Sequence, residues 1–176
     1  MKKNWFVFLL IASMLVLMLT ACSGNKTTDF TQNENYKQFF SEKDDELNIE
    51  LKNIVFTNIQ AFNEGDAKTY CSLFSMTKDD SQFNEASFRD LRRLYDITYT
   101  VKDANATAVS GDNAQVVLTV LYSCKSLETG EVIYLSENEL VYTMQRRGAK
   151  WILIEYKDKE LADLTEYGTD FVDAFP

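Results

Sequence analysis

Apolar residues recur at steps of three and four between Asp45 and Glu64. Leu47, Leu51, Ile54, Val55, Ile59 and Phe62 form one stripe, with Lys52, Asn53, Gln60 and Asn63 between them. This period predicts a long helix with one buried side and one wet side. Gly65 stands where a helix end takes positive φ. Asp66 can then cap a second helix over Ala67 to Ser75, because its carboxylate can accept from the free amides of the first turn. The same carboxylate could be read as a catalytic acid, but capping accounts for it without a further assumption. That helix turns Tyr70, Cys71, Leu73 and Phe74 inward. Thr77 to Phe83 reads as a polar loop. Asn84 caps a third short helix with Phe88, Leu91 and Leu94 or Tyr95 on one face. Arg89, Arg92 and Arg93 cluster on it, as an anion site or as a solvated face paired with acids.

From Tyr95 the period becomes two. Tyr95, Ile97, Tyr99 and Val101 alternate with Asp96, Thr98, Thr100 and Lys102, which predicts a half-buried strand. Ala104 to Val109 continues it after a bulge. Ser110–Asn113 is a turn, and Ala114–Cys124 a strand carrying Val116, Leu118, Val120, Tyr122 and Cys124 on one face. Glu128–Gly130 turns into a long strand, Val132–Met144, and Arg146–Gly148 turns into the last clear strand, Lys150–Tyr156. Hairpin follows hairpin, so the sheet is an antiparallel meander. The fold class is α+β: N-terminal helices packed on a curved four-stranded antiparallel sheet. Leu161, Leu164, Tyr167, Phe171, Val172 and Phe175 could dock the acidic tail, 159–176, as a short helix, or the tail could equally be frayed.

The start of the chain is patterned differently. Lys2 and Lys3 precede a fifteen-residue weakly polar to apolar run, Trp5–Leu19, and then Thr20, Ala21 and Cys22. A basic start, a short apolar core and a small-residue exit make a secretory signal. The run is shorter than the roughly 20 residues of a spanning helix. Leu19-Thr20-Ala21-Cys22 resembles the lipobox of bacterial lipoproteins. The resemblance implies cleavage before Cys22 and a diacylglyceryl group on its thiol. Two acyl chains anchor stably where one does so only marginally. The expected division is a signal over 1–21, a lipidated polar tether over 22–44, a domain over 45–158 and the tail. Tyr36, Phe39 and Phe40 interrupt the tether and could be a first helical turn packing on the domain. The expected location is the extracytoplasmic face of the cell membrane.

Composition narrows the chemistry. Removing residues 1–21 removes two lysines and no acid, leaving 16 basic against 27 acidic residues, a net charge of −11. Such a chain repels nucleic acid and anionic lipid headgroups. Histidine is absent, which removes the commonest general base and metal ligand. Neither a metal nor a cofactor is expected. Cys71 and Cys124 are a candidate disulfide, since an exported compartment permits one; the alternative is two buried thiols behaving as small hydrophobes.

Phe62-Asn63-Glu64-Gly65-Asp66 with Tyr70 and Phe74, Gly111-Asp112-Asn113-Ala114-Gln115-Val116, and Gly148-Ala149-Lys150-Trp151-Ile152 stand in the order of the nuclear-transport-factor-2-like (NTF2-like, cystatin-like) superfamily. The resemblance implies helices in the concave side of the sheet and a conical pocket. It also implies a range of roles, from isomerases and dehydratases to non-catalytic envelope modules, so fold alone does not choose among them. The candidate pocket lining is Tyr95, Tyr99, Tyr122, Tyr134, Ser136, Asn138 and Tyr142. Ser136 and Asn138 interrupt an apolar face, as a polar pocket floor or an exposed strand end. No nucleophile, phosphate loop or metal cluster stands out. The leading expectation is a non-enzymatic binding or assembly module with an envelope protein partner. The alternatives are a small-molecule binder or isomerase/hydrolase-type enzyme using the cone, and an immunity or exclusion lipoprotein.

Overall fold

The computed structural model describes residues 27–74 and 84–165. Cys22 and the expected signal, the loop after Phe74 and the end of the tail lie outside the described residues. Three helices, α1 (Glu46–Glu64), α2 (Ala67–Ser72) and α3 (Glu85–Leu94), precede a sheet of β1 (Tyr95–Ser110), β2 (Asn113–Ser126), β3 (Val132–Arg147) and β4 (Lys150–Asp163). The strands pair in the order β1-β2-β3-β4, each antiparallel to the next. This is the expected α+β meander. The bulge expected in β1 lies between Val101 and Asp103, and a second shift follows between Thr107 and Val109.

Local chemistry sets the helix ends. The Asp45 carboxylate accepts from the Asn48 amide at 2.8 Å. Gly65 closes α1 at φ 73°, a conformation that costs a residue with a Cβ. Asp66 accepts from the Thr69 amide at 3.1 Å and from its hydroxyl at 2.6 Å, so it is a cap. Asn84 accepts from the Ser87 amide at 2.7 Å. Helix α2 stops at Ser72, short of the expected Ser75, because the chain turns to pair with β4. The Leu153 amide donates to the Leu73 carbonyl at 3.0 Å, and Phe74 bridges Leu153 in parallel.

Helix α1 differs from its expectation. Lys52 and Asn53 are buried rather than wet, as are Thr57 and Asn58. The cause is the segment 27–44, which lies on the helix instead of standing off as a tether. Phe30 is fully buried, and Phe30, Tyr36, Phe39 and Phe40 surround the Phe56 ring at centroid distances of 4.8–5.9 Å. The Phe30 amide donates to Asn53 Oδ1 at 3.0 Å, and the Thr28 amide to Thr57 Oγ1 at 3.3 Å. Lys52 Nζ donates to the Phe39 carbonyl at 2.8 Å and to Asp44 Oδ2 at 2.7 Å. The buried polar side chains of α1 thus have partners, as buried polar groups require.

The sheet's inner face holds the core. Val116, Leu118 and Val120 of β2 and Leu140, Tyr142 and Met144 of β3 are buried against α1. Asn63 fixes the helix to the sheet like a strand neighbour: its Nδ2 donates to the Tyr99 carbonyl at 2.9 Å, and its Oδ1 accepts from the Tyr99 amide at 2.8 Å. Arg92 donates to the carbonyls of Ile97 and Asn63 and so ties α3 to β1 and α1. Strand β4 runs on to Asp163, seven residues past the expected end, pairing Lys157–Asp163 with the first half of β3. Leu161, expected in a docked tail helix, is therefore a strand residue and largely exposed.

Candidate functional site

The register of the sheet builds the site. Tyr99 opposes Tyr122, and Tyr122 opposes Ser136. Val120 opposes Asn138, Leu140 opposes Asp158, and Tyr142 opposes Tyr156. Two groups of tyrosines therefore flank a polar strip on the concave face. The helices supply a second aromatic layer: the Phe62 ring lies 5.4 Å from Tyr70, 5.4 Å from Phe88 and 5.0 Å from Tyr99. Between helices and sheet a cavity of about 460 Å³ opens to solvent. Helix α1 gives it Phe62, α2 gives Tyr70, α3 gives Ser87, Phe88 and Leu91, and β4 gives Tyr156 and Asp158. Its size and aromatic walls are those of a small-molecule pocket.

The seven expected lining residues divide. Tyr99, Ser136, Asn138 and Tyr142 are buried, and none of the four lines the cavity. Tyr122 and Tyr134 are half-buried, with ring centroids 5.7 Å apart. Tyr95 sits elsewhere, in a surface groove with Leu94 and Leu127. Ser136 and Asn138 are buried, not an exposed strand end. Ser136 Oγ donates to Asn138 Oδ1, and Asn138 Nδ2 donates to Asp158 Oδ1 at 2.6 Å. Tyr142 donates to Asn58 Oδ1 at 3.2 Å. Sequence reasoning placed Tyr70 and Phe88 in the core and missed Tyr156 and Asp158 altogether. The signal for that pair was their i, i+2 spacing, which puts both on one strand face.

Burial sets the protonation of the site. Loss of water pushes the phenols of Tyr70, Tyr99, Tyr142 and Tyr156 above their ordinary value, and that of Tyr122 to about 12. Neighbouring phenols push Tyr70, Tyr99 and Tyr142 further in the same direction, and the Asp158 charge does so for Tyr99, Tyr122, Tyr142 and Tyr156. A hydrogen bond between the Tyr70 and Tyr156 hydroxyls partly offsets the rise at Tyr156. All are neutral near pH 7 and act as hydrogen-bonding groups rather than as bases.

Cys71 and Cys124 are free, buried thiols, which corrects the candidate disulfide. They have different surroundings: Cys71 faces Glu85 and Arg89 of α3, and Cys124 lies beside Tyr122 and Asp96. Burial raises both thiols, so neither is a ready nucleophile. The arginines of α3 are engaged. Arg89 pairs with Glu85 at 2.5 Å, Arg93 with Asp90 at 3.6 Å and Arg92 with Asp96 at 3.7 Å. Among the described residues no three His, Cys, Asp or Glu side chains gather to hold a metal. No described helix is long and apolar enough to cross a membrane.

Residues 53–162 match the family of the C-terminal domain of the anti-sigma-I factor RsgI9. The chain belongs to that family. No curated protein matches it. Solved structures give the family's fold here its wider setting. A ketosteroid isomerase-like protein from Erwinia carotovora atroseptica SCRI1043 superposes with a TM-score of 0.54 at 14% identity, covering 68% of this chain and 99% of that one. A protein with a cystatin-like fold from Caulobacter vibrioides gives 0.52 at 13% identity, over 72% and 94%. A member of the NTF2-like family from Streptomyces avermitilis gives 0.52 at 14%, over 64% and 95%. At these identities the likeness is one of fold: the domain is NTF2-like, as the sequence resemblance implied.

Proposed function

We propose that this RsgI9 C-terminal-domain family member is a membrane-anchored extracytoplasmic lipoprotein whose domain binds a small molecule without turning it over. The observation that carries the binding role is the 460 Å³ cavity walled by Phe62, Tyr70, Phe88 and Tyr156 around the Asp158 carboxylate. Its phenols are neutral, no thiol lines it, and the chain has no histidine. Asp158 is then the one candidate base among the lining residues, and we read the set as one for recognition. Lipidation of Cys22 would hold the domain close to the bilayer. Thr27 already packs beside α1, and the five residues from Cys22 to Thr27 reach at most about 18 Å. The second reading, an isomerase- or hydrolase-type enzyme, rests on the same Asp158 in the same aromatic cavity.

Two experiments test these parts separately. Wild type takes up a lipid label and fractionates with membranes, and Cys22→Ala does neither; equal behaviour of the two would end the anchor. For the cavity, Ser87→Trp fills it with an indole. Small molecules that raise the Tm of wild type by a few degrees leave this variant unmoved, since a ligand at 100 times its Kd adds about 2.7 kcal/mol. A screen whose hits stabilise both proteins alike would remove the cavity from consideration. Turnover of a hit by wild type, lost in Asp158→Asn, would favour the second reading.

A further inference from the structure

We infer that the cavity selects a small organic cation, with Asp158 as its counter-ion and the surrounding ring faces as its walls. This rests on reading the cavity as a binding site and adds the class of ligand. Asp158 is the one charged side chain among its lining residues. Its carboxylate is aimed by a buried relay, for Asn138 donates to it at 2.6 Å and is itself held by Ser136, which is fully buried. An anion would meet this carboxylate with no lining cation to offset it. A neutral ligand would gain nothing from its charge. An ammonium group satisfies it and also gains from the aromatic faces of Phe62, Phe88 and Tyr156, whose quadrupoles attract positive charge. Phe62 already accommodates one cation: the Arg92 guanidinium stands 5.9 Å from its ring centroid. That guanidinium is held in place by carbonyl groups and Asp96, and Arg89 is paired with Glu85, so the nearby bases are occupied. A chain of net charge −9 draws cations toward itself.

The test is a pair of titrations followed by nuclear magnetic resonance on the full chain in neutral detergent micelles. The probes are choline and dimethylbutanol, its uncharged carbon isostere. Choline shifts the amides of the cavity residues and binds at least about tenfold more tightly than the isostere, the range that desolvated cation–ring contacts supply. Asp158→Asn, at an exposed position, weakens choline about tenfold and leaves the isostere unchanged. Phe88→Leu keeps an apolar wall but removes a ring face, and weakens choline more than the isostere. Equal binding of the two probes, or choline binding indifferent to Asp158→Asn, would overturn the cation assignment. Absence of binding by either probe would overturn it too. Hits from the Tm screen that Ser87→Trp blocks would, in that event, leave the cavity standing as a site for another class.

Discussion

Asp44 shows how one side chain carries part of the fold's pH dependence. Its carboxylate meets the Lys52 ammonium where both side chains are largely shielded, Asp44 at 13% and Lys52 at 5% exposure. Burial alone would raise the Asp44 pKa. The hydrogen bonds from Lys52 and the Ser41 amide, with the charge of Lys52, outweigh that and hold it below the ordinary carboxylate range. A carboxylate depressed in the folded state stabilises fully above its unfolded pKa of about 4 and loses that contribution as pH falls through the folded value. Asp44→Ala should therefore cost about 3 kcal/mol at pH 7, because it leaves Lys52 buried without its partner. The same substitution should flatten the fall in stability below about pH 4. Urea unfolding of both proteins at pH 7 and pH 3 checks this, and a loss that is equal at the two pH values would contradict it. Neither residue announced this role in the sequence. Lys52 fell on the wet side of a helical period, and only the strand of chain crossing above it reverses that assignment.

At the scale of elements, sequence periodicity served the sheet better than the first helix. The β-meander was legible because its strands alternate and its turns carry glycine; Gly111, for example, takes φ 59° between β1 and β2. The caps were legible for local reasons, since Asp66 and Asn84 act within three residues of themselves. Helix α1 was legible in extent but not in burial. It is covered by the sheet on one side and by residues 27–44 on the other, so its amphipathic signal describes only half of its surroundings. The covering segment holds Phe30 alone and Tyr36, Phe39 and Phe40 at the spacing of one helical turn, which forms as a 3-10 turn over Lys37–Phe39, but these stand among polar residues that resemble a linker. Its docking makes a strong prediction. Phe30→Ala removes a fully buried ring and should cost about 3–5 kcal/mol. A change in the urea midpoint worth less than about 1 kcal/mol would mean that this segment is not part of the cooperative unit. The far half of β4 was illegible for the opposite reason: Lys157, Asp158, Lys159 and Glu160 offer no apolar alternation, yet their backbone completes β3. That error hid Asp158 from the candidate site.

The whole molecule follows from these two packings. Residues 27–44 close the outer side of α1, and the sheet closes the inner side, so α1 becomes a central layer. The short helices α2 and α3 then bridge from its end to the sheet and leave the cavity open between α3 and β4. The buried polar strip beside that cavity was legible, because Ser136, Asn138 and Tyr142 alternate along β3 and Tyr99 lies on the same face of the sheet. The mouth of the cavity was not, because α2 and α3 are brought to β4 by contacts far apart in sequence. Binding in this cavity is the central claim. Amide-resolved magnetic resonance of the full chain with the strongest hit of the Tm screen tests it most directly. Binding as proposed shifts Tyr70, Ser87, Phe88, Tyr156 and Asp158 together and leaves the groove at Leu94 and Leu127 unmoved. Shifts confined to that groove or to the outer surface of the sheet would contradict it, and would make a protein-docking surface the working part of the domain.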